Sequence, residues 1–310
     1  MAEIAFLFPG QGSQFAGMGK FLAEQFAESR HVFEEADEAL GFPISRLCFE
    51  GPDEELKKTQ NTQPAILTVS IAAYRVLNSH GFRPAIVAGH SLGEYSALVA
   101  ADSLAFADAV RLVHKRGQFM QEAVPEGVGA MAALLKLPEE KVDQILTEAS
   151  QSEVVTAANF NSPDQIVIAG HKQAVERAME LAKAAGAKRA ILLPVSAPFH
   201  CPLMRPAQER MQPELQTVKL ARLTVPLINN WRARVVSEVE DAREGLYEQI
   251  PNPVRWTQSI RELAQRGIGK FIEVGPGSVL SGLCRSIDPG LQGVRFGEPA
   301  DLDKVTSAFA

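Results

Sequence analysis

Residues 85–100 read Ala85-Ile86-Val87-Ala88-Gly89-His90-Ser91-Leu92-Gly93-Glu94-Tyr95-Ser96-Ala97-Leu98-Val99-Ala100. A short apolar run, 85–88, meets a serine set between two glycines, and a helix-like run begins at Gly93. Gly89-His90-Ser91-Leu92-Gly93 fits G-x-S-x-G, whose glycines make room for a sharp strand-to-helix turn that lifts the serine hydroxyl clear of the backbone. A structural turn serine also carries the bare pattern. The strand before it and the helix start after it are what favour an exposed nucleophile.

Outward from this turn, apolar runs at 4–8 and 271–274 join 85–88 in alternating with long stretches of helical periodicity. That alternation predicts an α/β domain with a mainly parallel sheet. Two of the runs lead into glycine-bearing turns, Pro9-Gly10-Gln11-Gly12 and 89–93. Ligands in open α/β sheets sit beyond the carboxyl ends of strands, so both turns are expected to face one crevice. Gly10 and Gly12 also suit a plain tight turn without catalytic meaning.

The middle of the chain reads differently: strand 130–135, helix 138–149, strands 154–159 and 165–169, helix 173–185, strand 189–194. The order β-α-β-β-α-β is the split arrangement of a ferredoxin-like unit. Stretches 127–129 and 195–198 serve as crossings to the rest. The expected division is a large α/β domain of 1–126 and 198–310 with a small domain, 127–197, inserted. No repeat, low-complexity tract or charge block interrupts this plan.

A chain of 310 residues, 46% hydrophobic and 22% charged, has room for one large core plus a smaller unit. Its formal charge of -6 offers no general attraction to phosphate backbones or anionic lipid, so no nucleic-acid partner is expected. The N-terminal run lacks the basic start of a secretory signal, and no stretch approaches the roughly 20 apolar residues of a membrane span. A cytoplasmic protein without a membrane partner is expected. Three cysteines, Cys48, Cys201 and Cys284, are odd in number and far apart, which reads as reduced buried thiols. The six histidines show no metal-ligand spacing, so no metal site is expected.

A serine hydroxyl is a poor nucleophile until a base takes its proton. His200, in Ser196-Ala197-Pro198-Phe199-His200-Cys201-Pro202, sits in a loop stiffened by two prolines. By position alone a hydrogen-bonded structural histidine fits equally. Arg116 follows Arg111, His114 and Lys115 on a predicted helix over 106–121, and by sequence alone it reads as part of a solvated cationic face.

Together these signals carry a resemblance. Phe8-Pro9-Gly10-Gln11-Gly12-Ser13-Gln14, Thr62-Gln63-Pro64-Ala65, Gly89-His90-Ser91-Leu92-Gly93-Glu94, Arg116-Gly117, Asn159-Phe160-Asn161-Ser162-Pro163, Phe199-His200, Gln249 with Asn252-Pro253-Val254 and Trp256, and Glu273-Val274-Gly275-Pro276-Gly277 occur in order. Over almost its whole length the chain resembles the malonyl-CoA:acyl carrier protein transacylase family and the related acyltransferase domains of polyketide and fatty acid synthases. The resemblance implies an α/β-hydrolase-like large domain with a ferredoxin-like small one. It implies Ser91 as nucleophile and His200 as base, with no carboxylate third member and a backbone carbonyl near Gln249 orienting the imidazole. It makes the amides of Gln11 and Leu92 the oxyanion hole, and Arg116, Phe199 and Gln249 the substrate-binding set. Arg116 would hold the malonate carboxylate, reversing the solvated reading, and Phe199 would crowd an α-methyl group.

The implied reaction moves a malonyl group from malonyl-CoA to Ser91 and then to the pantetheine thiol of acyl carrier protein, supplying fatty acid synthesis. It implies no cofactor, and a monomer is expected. An acidic carrier protein would need a local basic patch, for which Arg111, Lys115, Lys188 and Arg189 are candidates. A thioesterase or esterase shares the serine turn but lacks an evident Asp partner and an HGGG loop. An idle carrier-binding module would require loss of the nucleophile or base. Which carrier is served stays open, since acyltransferases of malonate decarboxylation and polyketide synthesis share these motifs.

Overall fold

The computed structural model describes residues 3–195 and 197–309. Among these residues ten strands form two sheets: β1 Ile4–Phe8, β2 Ile86–Gly89, β3 Gly129–Leu135, β4 Val155–Ser162, β5 Gln165–His171, β6 Arg189–Leu192, β7 Leu227–Ile228, β8 Val235–Val236, β9 Lys270–Val274 and β10 Gln292–Phe296. The larger sheet has the order β10-β9-β1-β2-β7-β8 and is parallel except for the β7/β8 pair. The fold is therefore α/β with a mixed, mainly parallel sheet.

Both central strands are apolar at every position because helices cover both faces, as parallel sheets require. One face packs on helices Thr59–Ser79 and Phe106–Glu122, the other on Trp256, Ile260 and Leu280. Phe8 pairs with Gly89, so β1 and β2 end level and their glycine turns lie side by side.

The second sheet, β4-β5-β3-β6, is wholly antiparallel. Its side chains alternate with period 2. Ala130, Ala132 and Leu134 face helices Val142–Ser150 and Lys172–Ala184, whereas Met131 and Ala133 join the main core. A Cβ on Gly129 would run into the Pro198 ring, so a glycine is needed where the chain crosses back. The expected crossing at 195–198 includes Ser196, which lies outside the described residues.

Element edges depart from the sequence reading where local chemistry intervenes. Pro138 precedes a 3-10 turn at Glu139–Lys141, so the α-helix expected from 138 begins at Val142. β4 runs on to Ser162 through two register irregularities, beyond the expected 159. No helix among the described residues is long and apolar enough to cross a membrane. The three cysteines are free and buried.

Candidate active site

β2 ends at Gly89, and Ser91 takes φ 53, the left-handed region that non-glycine residues rarely occupy. Backbone contact leaves no room for side chains around it. A Cβ on Gly89 would strike the Gly93 carbonyl, one on Gly93 would strike the Phe8 carbonyl, and one on Gly10 would lie 2.5 Å from the His90 carbonyl. Leu92 caps helix Gly93–Ala100, whose first-turn amides, those of Gly93, Glu94 and Tyr95, donate to the carbonyls of His90, Ser91 and Leu92.

His200 comes from the loop after β6 and also has a positive φ, 58. Its Nε2 lies 2.8 Å from Ser91 Oγ and its Nδ1 lies 2.8 Å from the Gln249 carbonyl oxygen. A carbonyl only accepts, so Nδ1 carries the hydrogen and Nε2 is left to take a proton from Ser91. Gln249 caps the C-terminus of helix Val239–Glu248, where carbonyls lack helical partners and the dipole is negative. Burial first, and the Arg116 charge second, push the His200 pKa down to about 3. The imidazole is therefore neutral at pH 7, the form a general base needs.

Arg116 is 1% exposed. Nη1 donates to Gln63 Oε1 at 2.7 Å, and Nη2 donates to Gln249 Oε1 at 3.0 Å and to Ser91 Oγ at 3.1 Å. Its buried Nε has no hydrogen-bond partner. Among the described residues no carboxylate forms an ion pair with it, and its side-chain hydrogen bonds go to neutral oxygens, although the buried Glu94 also acts on its charge. The solvated reading of Arg116 fails because the helix period sets it on the apolar stripe of Ala109, Val113 and Met120. Arg111 and Lys115 do face solvent, paired with Asp108 at 3.3 Å and Glu214 at 2.7 Å. Lys188 directly precedes β6 and Arg189 opens it, on the smaller sheet.

Ser91, His200, Arg116, Phe199, Gln11 and Leu92 all line one cavity of about 160 Å³, which Met131 and Val167 of the smaller sheet close from the other side. Gln249 reaches it through Arg116 and His200. A wider depression around Arg111 and Lys115 lies elsewhere and holds neither the serine nor the imidazole. The arrangement can take a proton from a serine hydroxyl while a buried cation stands beside the oxygen.

Sequence reasoning assigned no role to five residues near the serine. Gln63 meets Arg116 because Gly117 lets two helix backbones touch, a Cβ there striking the backbone of Thr59 and Gln60. His90 Nε2 lies 2.9 Å from Asn161 Oδ1, linking the serine turn to β4. Asn230 Oδ1 accepts the Ser91 N–H at 2.9 Å, and Glu94 accepts the Asn230 N–H at 2.8 Å. Gln63, Glu94 and Asn161 stand inside quoted motifs, but Asn230 carries no local signal.

Residues 5–289 match the acyl transferase domain family. The chain is 50% identical over 303 residues to a malonyl CoA-acyl carrier protein transacylase of Escherichia coli O157:H7, covering 97% of this chain and 98% of that protein. It is 50% identical over 304 residues to a protein of the same name in Bacillus subtilis strain 168, covering 98% and 96%. A malonyl-transacylase solved in complex with a type II PKS acyl-carrier protein superposes with a TM-score of 0.97 at 44% identity, covering 99% of this chain and 100% of that one.

Proposed function

The chain belongs to the acyl transferase domain family, and from that premise we propose that it carries a malonyl group from malonyl-CoA to the pantetheine thiol of an acyl carrier protein, supplying fatty acid synthesis. Ser91 attacks the thioester carbonyl while His200 Nε2 takes its proton. The tetrahedral oxyanion rests on the amides of Gln11 and Leu92. Collapse breaks the C–S bond, and the CoA thiolate leaves with the proton returned by His200. The carrier thiol enters the same cavity and runs the steps in reverse, a ping-pong route. No metal or redox cofactor takes part in this scheme.

Arg116 is the observation that carries the reading. A buried guanidinium with amide partners, one unpartnered N–H and no ion-paired carboxylate among the described residues suits a substrate that brings a carboxylate. Phe199, buried beside the base, leaves little room for a methyl on the α-carbon. The strand order β4-β5-β3-β6 supports a ferredoxin-like domain at 127–197, set in an α/β-hydrolase-like domain of 1–126 and 198–310. One chain supplies every residue of the scheme, which supports action as a monomer; a cytoplasmic setting goes with the proposed part in fatty acid synthesis.

The test is a mass measurement after incubation with malonyl-CoA, then with carrier protein. One malonyl ester should appear on the Ser91 peptide, vanish in Ser91→Ala, and discharge to the carrier thiol. A label that survives Ser91→Ala, or free malonate released without any thiol acceptor, would overturn the proposal.

A further inference from the structure

The serine turn is held from a second strand. β7 runs parallel to β2, with Ala88 opposite Ile228, so the chain leaving β7 passes the turn at the height of Ser91. Asn230 lies there, 2% exposed. Its Oδ1 accepts the Ser91 N–H at 2.9 Å, and its Nδ2 donates to the Gly89 carbonyl at 2.7 Å. The two bonds bracket His90 and close the turn from outside.

Glu94, fully buried in the first turn of helix Gly93–Ala100, orients that amide. Its Oε2 accepts the Asn230 N–H at 2.8 Å and also the Nδ2 amide. Because carboxylate oxygens accept, the amide cannot flip without setting its carbonyl against Glu94. Neither residue is among those lining the cavity, so neither has a place in the proton transfer.

We infer that Asn230, oriented by Glu94, is a positioning residue that holds Ser91 in its left-handed conformation and so keeps Oγ between His200 Nε2 and Arg116 Nη2. A left-handed L residue persists only where its surroundings over-determine it, and the Asn230 bond to the Ser91 N–H supplies such a constraint. The inference rests on Ser91 being the nucleophile.

The charged or titratable groups facing Glu94 are Arg116 and Tyr95. His200 stays neutral down to about pH 3, so its own protonation does not mask changes at mildly acidic pH.

The test is single-turnover malonylation of Ser91 across pH, with folding followed by thermal unfolding. Wild type must label first, since a wild type that takes no label removes the proposed nucleophile and this inference with it. Asn230→Ala should label about a hundredfold more slowly at saturating malonyl-CoA, with the half-saturating concentration unchanged. Asn230→Asp keeps the oxygen that accepts from Ser91 but turns a second oxygen on the Gly89 carbonyl and Glu94. Its rate should therefore rise as pH falls and a proton is shared, a limb that Asn230→Ala lacks. Glu94→Gln, which keeps an acceptor, should recover most of the rate that Glu94→Ala loses. Asn230→Ala labelling at the wild-type rate, or Asn230→Asp following the wild-type pH profile, would overturn the inference. The near-isosteric Asp and Gln variants keep the test decisive should the alanine variants fail to fold.

Discussion

Arg116 shares an apolar helix stripe with Val113 and Met120, yet no ion pair among the described residues neutralises its charge. An acetyl group would leave it so, whereas a malonyl carboxylate would match it. Removing one side of a hydrogen-bonded charge pair costs about 2 to 5 kcal/mol, roughly thirtyfold to several thousandfold. Arg116→Ala should lower the specificity constant for malonyl-CoA by that factor and that for acetyl-CoA far less. Arg116→Lys should recover little, since a point charge lacks the paired donors. Steady-state kinetics with both thioesters measures the ratio, and an unchanged ratio would move the carboxylate site elsewhere.

The strand-turn-helix element depends on backbone touching backbone. A methyl on Gly93 meets the Phe8 and Pro9 carbonyls, neither of which can rotate aside, so β1 itself would have to move. Gly93→Ala should destabilise the fold by about 1 to 3 kcal/mol or more. Gly282, inside helix Val279–Ile287 with nothing near its missing Cβ, is the control. Gly282→Ala should stabilise by about 0.5 to 1 kcal/mol. Denaturant unfolding of both variants checks the contrast, and equal effects would show that the elbow glycine is not crowded.

At the scale of the whole molecule, two buried groups tie stability to pH with opposite signs. His200, near 3 when folded against an ordinary 6.5, takes a proton only in the unfolded chain between those values, so acidification from pH 6.5 toward 3 destabilises the fold. Burial raises Glu94 to about 7 from 4.5, so the folded chain holds a proton there that the unfolded chain has released. Acidification from pH 7 to 4.5 therefore favours the fold through Glu94. Between pH 4.5 and 6.5 the two contributions offset each other. Glu94→Gln removes the second, and its unfolding midpoint should fall more steeply than that of wild type from pH 6.5 to 4.5. Parallel midpoint curves would mean that Glu94 is ionised throughout.

The sequence by itself determined the α/β class, the two glycine turns at neighbouring strand ends, the serine on a strand-to-helix turn, and the β-α-β-β-α-β order of the middle segment. These follow from apolar periodicity and from the small residues that tight turns demand, both of which are written over a few residues. The burial of Arg116 was also written there, in its spacing from Ala109, Val113 and Met120, although the neighbouring cations Arg111 and Lys115 obscured it. Only the tertiary structure decided the partners: His200 is 109 residues from Ser91, Gln249 is 133 from Arg116, and Asn230 is 139 from Ser91. No local preference links positions so far apart. They meet because β1, β2 and β7 lie side by side and end in one cleft, where burial strips water from each polar group and leaves only these distant residues to take its place.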